Sequence, residues 1–164
     1  MKLARRLEHI EPFYVMEFVQ GRVMWDQSLP GMTPVERGAI YDEMNRVIAA
    51  LHTVPFAERG LATYGKPGNY FERQIGRWSK QYVASVTEPI EAMDQLMTWL
   101  PAHMPASAQD DRQVSIVHGD YRLDNLMFHP TEPRVLAVLD WELSTLGHPL
   151  ADFSYHCMSW HIPP

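Results

Sequence analysis

The stretch His118-Gly119-Asp120-Tyr121-Arg122-Leu123-Asp124-Asn125, followed by Asp140-Trp141-Glu142, decides how this sequence is interpreted. It is the densest grouping of acid and amide side chains in the chain. Short apolar and β-branched segments lie around it, at 114–117, 125–128 and 134–139, and loop residues separate them. This pattern predicts short β-strands. We therefore expect these polar side chains to lie beside strand ends.

The spacing after Asn125 predicts a β-hairpin whose turn follows Phe128, with Phe128 facing Arg134. In that register Asn125 lies opposite about Ala137, and Asp140 lies about three residues beyond that level. The amide of Asn125 and the carboxylate of Asp140 then lie at the same edge of the hairpin. Because Mg²⁺ prefers oxygen ligands, Asn125 and Asp140 are predicted to bind magnesium, with phosphates and water as the other ligands.

Asp120 precedes the predicted hairpin on a loop. From there its carboxylate is close enough to accept or orient a hydroxyl proton, while a bound metal ion neutralises charge on a transferred phosphoryl group. That division of labour is the one found in kinases. Asp120 is thus the predicted catalytic base.

Most of the remaining chain is predicted to be helical. Thr33-Pro34-Val35-Glu36 has the cap, proline and acid of a helix start, and this helix should end near Pro55. Three more helices are predicted, with inward faces made of Phe71, Ile75, Trp78 and Tyr82, of Ile90, Met93, Met97 and Leu100, and of Leu150, Phe153 and Cys157 or Met158. Asn69 and Glu72 are expected to cap the second, Thr87 or Glu88 with Pro89 to open the third, and Pro149 to open the last. An aromatic and β-branched run at 13–19 predicts a buried strand.

Composition excludes several classes of protein. The formal charge is -6 and no run of Lys or Arg forms a basic stripe, so nucleic acid is not an expected partner. No apolar run approaches the roughly 20 residues needed to cross a bilayer. The lone Cys157 and the lack of an apolar signal core near Met1 predict a reducing, cytoplasmic setting.

The motifs together resemble those of the aminoglycoside phosphotransferase and choline kinase superfamily. The resemblance rests on His-Gly-Asp with Asp-Asn, on Asp-Trp-Glu, and on Gly147-His148-Pro149-Leu150-Ala151-Asp152. It implies an α+β fold like the C-lobe of protein kinases, mainly helical, with a short hairpin that carries the catalytic and metal-binding residues. It also implies ATP and Mg²⁺ as cofactors, a small-molecule hydroxyl as acceptor, and a role for Asp152 in bracing the catalytic loop.

Met16-Glu17-Phe18-Val19 resembles the hinge strand between kinase lobes, where backbone groups bind adenine. The resemblance therefore implies that Glu17, Phe18 and Val19 bind the nucleotide. Together with residues 64–70 and 73–75, this segment resembles phosphotransferase domains that are fused to acyl-CoA dehydrogenases. The implied division is a remnant of the N-lobe and hinge at 1–21 and a C-lobe at 22–164. Because a glycine-rich flap and a pairing lysine are missing, we expect a chain truncated at both ends, incomplete as an enzyme.

Several alternatives stay open at this level. His118, Glu142 and Asp152 are candidates for supporting roles, but His118 can equally be a packed histidine, Glu142 an exposed acid, and Asp152 an acid favoured by a helix N-terminus. A non-catalytic module that binds nucleotide or a partner is the second functional hypothesis, and a metal-dependent hydrolase is the third. Relatives of this fold serve many acceptors, so the acceptor is left open.

Overall fold

Four helices and five short strands make up the part of the chain that the computed structural model describes, residues 17–110 and 112–162. The helices are α1 (Pro34–His52), α2 (Tyr70–Ser85), α3 (Glu91–Ala102) and α4 (Pro149–Met158). The strands are β1 (Arg22–Val23), β2 (Ser115–Val117), β3 (Leu126–Phe128), β4 (Val135–Val138) and β5 (Thr145–Gly147). The strands form two antiparallel sheets, β1-β3-β4 and β2-β5. The predicted α+β class is confirmed, and none of the described helices is long and apolar enough to span a membrane.

Helix α1 begins as predicted. Thr33 Oγ1 accepts the Glu36 N–H at 3.3 Å, and Glu36 Oε2 accepts the Thr33 N–H at 2.7 Å. These reciprocal bonds satisfy amide groups that have no partner inside the helix. The helix ends at His52, close to the predicted end near Pro55.

The main core lies between α1 and the β1-β3-β4 sheet. Its buried members are Met24, Leu29, Ile40, Met44, Ile48, Tyr121, Leu123, Leu126 and Phe128. Two polar contacts fix α1 to the rest of this layer. The Tyr121 hydroxyl donates to the Met44 carbonyl at 2.8 Å, and Glu43 Oε1 accepts the Val135 N–H at 2.9 Å. The loop that contains Asp120 is therefore anchored directly to α1.

The predicted hairpin forms, but its predicted register is wrong. Asn125 was expected opposite Ala137, whereas the Leu139 N–H donates to the Asn125 carbonyl at 2.9 Å. Two differences of one residue each are the cause: Phe128 pairs with Val135 and not with Arg134, and at an irregularity beside Phe128 β4 carries one more residue than β3. Such a bulge shifts every pair beyond it. Asp140 consequently follows directly after the residue that pairs with Asn125.

The buried faces of α2 and α3 also differ from the predicted ones. The predicted α2 stripe is only partly buried, with Trp78 48% exposed, and Tyr70 is the buried residue of this helix. Helix α3 starts at Glu91, later than the predicted start at Pro89, and none of its residues is buried. The two helices pack against each other. Their apolar residues consequently form a shallow seam between two surface helices and not a core stripe.

Helix α4 begins at Pro149 as predicted but buries a different face. Leu150 and Phe153 are about half exposed, and Asp152 and His156 are buried instead. Apolar periodicity pointed to the wrong side because the Asp152 carboxylate is held inside by hydrogen bonds to the loop before it. Polar contacts therefore set the rotation of this helix.

The predicted strand at 13–19 is described only from Glu17 onward, and residues 13–16 lie outside the described part. Residues 17–20 have no regular secondary structure, and Phe18 is 89% exposed. The first strand among the described residues is β1, where Arg22 pairs with Phe128. A high β-propensity means only that a side chain packs well on a pleated surface. In the described part of the chain, cross-strand pairing begins after the aromatic run.

Candidate active site

His118 opens the loop that joins β2 to β3, and it is fully buried. Its Nε2 lies 2.7 Å from the Leu139 carbonyl, and its Nδ1 accepts the Asp120 N–H at 3.2 Å. Acceptance at Nδ1 means that Nε2 carries the proton and donates to Leu139. His118 therefore ties the backbone of Asp120 to the end of β4, as a packed histidine with both ring nitrogens in use.

Gly119 has a conformation that other residues rarely adopt, with φ +86°. A Cβ at this position would lie 2.7 Å from the Leu143 carbonyl oxygen. Both the positive φ and the close approach of another backbone segment favour glycine. The loop can therefore turn at Gly119 and pack closely against the segment after Asp140.

Asp152 lies beneath this turn and is only 2% exposed. Its Oδ2 accepts the His118 N–H at 2.6 Å, and its Oδ1 accepts the Gly119 N–H at 2.8 Å. His52 Nε2, from the end of α1, lies 3.1 Å from Oδ2. One buried carboxylate thus joins α1, α4 and the loop. Charged acceptors make the stronger class of hydrogen bond.

Asp120 presents a partly exposed carboxylate, with a side-chain exposure of 25%. Asn125 Nδ2 donates to its Oδ2 at 2.9 Å and to its backbone carbonyl at 2.8 Å. The Arg122 guanidinium lies 3.6 Å from Oδ1 and is also paired with Asp124. The carboxylate is therefore oriented from two sides yet open to a small molecule.

Asn125 and Asp140 have the donor atoms that a hard cation needs. Because the Asn125 amide nitrogen is bound to Asp120, its Oδ1 is left without a hydrogen bond in the described part of the chain. Asp140 is exposed, its side chain makes no hydrogen bond or ion pair with any described residue, and its backbone is left-handed (φ 61°, ψ 61°). Among described residues, no three His, Cys, Asp or Glu side chains form a metal-binding group. The donor set, one carboxylate and one amide oxygen, fits Mg²⁺ with phosphate and water completing the shell.

The remaining predicted site residues are Glu142 and residues 17–19, whose side chains form no hydrogen bond or ion pair with Asp120 in the described part of the chain. Glu142 is exposed in a single helical turn, Trp141–Leu143, that follows Asp140. Glu17, Phe18 and Val19 precede β1, with Glu17 and Phe18 exposed and Val19 partly buried. Because β1 pairs with β3, this segment runs into the sheet that carries the hairpin.

Two residues at the site were not predicted. His52 continues the buried stripe of α1 one turn after Ile48, so its inward position could have been found from the sequence. Tyr155, on α4, gave no such signal. Burial, and after it a hydrogen bond with the Asp120 carboxylate, raises the pKa of the Tyr155 hydroxyl. The Tyr155 hydroxyl therefore lies near the predicted catalytic base.

A cavity of about 520 Å³ opens beside the loop, between α2 and α4. Its wall is mainly aromatic and apolar and includes Phe71, Trp78, Gly119, Tyr155 and Met158. Cavities of this size and character are typical of small-molecule sites. It is adjacent to Asp120 through Gly119 and Tyr155.

Comparison with known proteins gives consistent matches. The family model of the phosphotransferase enzyme family (APH) matches residues 2–164. Acyl-CoA dehydrogenase family member 10 of Mus musculus is 49% identical over 152 residues, which are 93% of this chain and 14% of that protein. Acyl-CoA dehydrogenase family member 11 of Rattus norvegicus is 50% identical over 151 residues, which are 92% and 19%. The chain thus spans less than a fifth of these curated relatives.

Solved structures share the fold. A protein of Ralstonia eutropha JMP134, provisionally assigned as an aminoglycoside phosphotransferase, is 75% identical with a TM-score of 0.86, over 91% of this chain and 45% of its own. Macrolide 2'-phosphotransferase type I has a TM-score of 0.56 at 19% identity, over 76% of this chain and 39% of its own. The second similarity concerns the fold alone. The predicted resemblance and the kinase-like fold are both confirmed.

Proposed function

This chain belongs to the phosphotransferase enzyme family, and we propose that it carries the catalytic residues for transfer of the γ-phosphoryl group of ATP to a hydroxyl of a small molecule. The acceptor class is a small metabolite or an antibiotic-like molecule. One observation carries the proposal: the Asp120 carboxylate is oriented by Asn125 at 2.9 Å, while Asp140 follows immediately after the residue that pairs with Asn125.

Asp120 is the proposed general base. Its carboxylate accepts the proton of the acceptor hydroxyl, so that the oxygen can attack phosphorus. Arg122 and the Asn125 amide hold the carboxylate in one orientation. The buried Asp152 fixes the backbone before it, at His118 and Gly119, so the base does not have to be positioned anew for each reaction.

Asn125 and Asp140 are the proposed ligands of Mg²⁺. The ion, when bound, offsets negative charge on the phosphates during transfer. The left-handed backbone at Asp140 is a sparsely populated conformation for a residue with a side chain, and such conformations cluster at functional sites. It directs the chain away from β4 while leaving the carboxylate exposed.

The backbone of Glu17, Phe18 and Val19 is proposed to bind adenine, and the aromatic cavity beside Gly119 is proposed to bind the acceptor. The support for the cavity is its position, because it shares Gly119 and Tyr155 with the surroundings of Asp120. The relatives support a fusion in which a domain of this family and an acyl-CoA dehydrogenase form one protein.

The test is a titration of the 164-residue chain with Mg²⁺-ATP, paired with an assay of ADP release in the presence of hydroxylated small molecules. We expect Mg²⁺-dependent binding by this chain, and turnover by a longer chain that also supplies a glycine-rich flap and a pairing lysine. Asp120→Asn should lower turnover by about 10²- to 10⁴-fold and leave nucleotide affinity nearly unchanged.

Asp140→Asn tests the metal site, because it keeps a side chain that tolerates the left-handed backbone and removes the charge. It should weaken Mg²⁺-ATP binding, whereas Asp94→Asn on the exposed face of α3 should not. Turnover that survives Asp120→Asn would overturn the role of Asp120. Binding by the longer chain without any turnover would favour the non-catalytic alternative.

A further inference from the structure

A second cavity, lined by basic side chains, lies along the first half of α2. It has a volume of about 810 Å³, and Lys66, Arg73, Arg77 and Lys80 contribute four cations to its lining. Glu72 is the one carboxylate among its lining residues. We call this feature the α2 basic groove. A concentration of positive charge is notable in a chain whose formal charge is -6.

The spacing of the helical members brings them together. Arg73, Arg77 and Lys80 lie four and three residues apart, which places them on one face of α2. Lys66 precedes the helix, and Arg73 Nη2 donates to its carbonyl at 2.6 Å. This bond holds the loop against the helix and closes the end of the groove.

The four cations of the groove lack ion-pair partners in the part of the chain that the structure describes. Arg73 Nη1 is buried and has no hydrogen-bond partner there. A buried donor without an acceptor is costly, and more so when the group is charged. An anionic ligand in the groove would supply the missing acceptor.

Gly76 lies on the same stretch of helix and keeps the groove open. A Cβ added at this position would meet no atom within 4 Å, so the helix surface at Gly76 is open. Glycine in a helix interior reduces helix stability relative to alanine. Its presence beside three cations allows a ligand to approach the helix backbone.

We propose that the α2 basic groove binds a multiply charged phosphate anion. Arginine and lysine side chains on one face, an unpaired guanidinium nitrogen and an open helix surface are suited to several phosphate oxygens at once. The site is separate from the proposed metal ligands, because neither Asn125 nor Asp140 lines it. Arg77 also lines the aromatic cavity, so the two sites share one cation.

The test measures binding of inorganic tripolyphosphate to the 164-residue chain by calorimetry, without nucleotide or divalent cations. We expect binding that weakens as the salt concentration rises. The double variant Arg77→Gln/Lys80→Gln should weaken the affinity by at least about tenfold. Arg59→Gln, which removes an exposed cation outside the groove, should bind as the unchanged chain does.

A second pair of variants leaves every charge in place. Gly76→Leu fills the open space and should also weaken binding, whereas Gly38→Leu, at an open glycine on α1, should not. Circular dichroism confirms that each variant is folded. Equal affinities for the double variant and Arg59→Gln, or no binding by the unchanged chain, would overturn the proposal. Neither outcome bears on phosphoryl transfer, which this assay does not involve.

Discussion

At the scale of single residues, Gly119 is where the backbone requires one residue type. Gly119→Ala adds a Cβ at a positive φ and within 2.7 Å of the Leu143 carbonyl oxygen. We expect the free energy of unfolding to fall by about 1–3 kcal/mol, because both strain and overlap must be relieved. Urea denaturation measures the change. Gly38→Ala, in an open helical position, should instead raise stability by about 0.5–1 kcal/mol.

Asp152 is the second residue with a measurable contribution. Asp152→Asn replaces one of two acceptor oxygens with a donor, so a backbone N–H of His118 or Gly119 loses its acceptor. Because the group is buried, we expect a loss of about 1.5–3 kcal/mol in the free energy of unfolding. Thermal denaturation measures the change. Asp94→Asn, an exposed change on α3, should stay within about 0.5 kcal/mol, and an equal effect of both would contradict the role given to Asp152.

At the scale of elements, the starts of α1 and α4 could be predicted, and the buried faces of α2, α3 and α4 could not. The start of α1 depends on Thr33, Pro34 and Glu36, which are adjacent in sequence, so the signal is local. The inward side of α4 depends on Asp152, which contacts residues 33 and 34 positions earlier. No periodicity contains that information. The register of the hairpin was missed for a similar reason, because its bulge has no distinct sequence signature.

The sequence predicted some of the side chains that lie together at the candidate site. Asp120 and Asn125 are five residues apart on one loop, and their contact at 2.9 Å needs no distant partner. By contrast, Tyr155 reaches the Asp120 carboxylate from α4, and His52 reaches Asp152 from α1. Such contacts depend on how whole helices pack. A pattern within one segment cannot reveal them.

Helix α4 is expected to make stability depend on pH through His156. Burial lowers the pKa of His156 from 6.5, so the folded chain holds it neutral where the unfolded chain takes up a proton. The unfolded state then binds more protons, and stability falls as the pH drops below about 6.5. Urea denaturation at pH 7.5 and pH 5.5 measures the difference.

The matched variants isolate that contribution. His156→Phe keeps an aromatic ring beside Tyr41 and Tyr121 and should reduce the loss of stability between the two pH values. His103→Gln, at an exposed histidine after α3, should leave the loss unchanged. If His156→Phe has the same pH dependence as the unchanged chain, His156 does not contribute to it.

At the scale of the whole molecule, the described structure is unevenly packed. Three residues of α1 are buried in the core, whereas no residue of α3 is buried. Regions with few buried contacts open at lower free energy than the core. We expect amide hydrogens of Glu91–Ala102 to exchange with solvent much faster than those between Ile40 and Ile48. Hydrogen exchange followed by mass spectrometry measures the rates, and equal protection of both helices would contradict this packing argument.

The three donors that meet at Asp152 also impose an order on biosynthesis. His52, His118 and Gly119 are all synthesised before Asp152, whose carboxylate joins them. A nascent chain that stops before Pro149 therefore contains the complete His-Gly-Asp motif without the buried acceptor that fixes it. The loop that contains Asp120 can reach its final geometry only after the last described helix has emerged from the exit tunnel and docked.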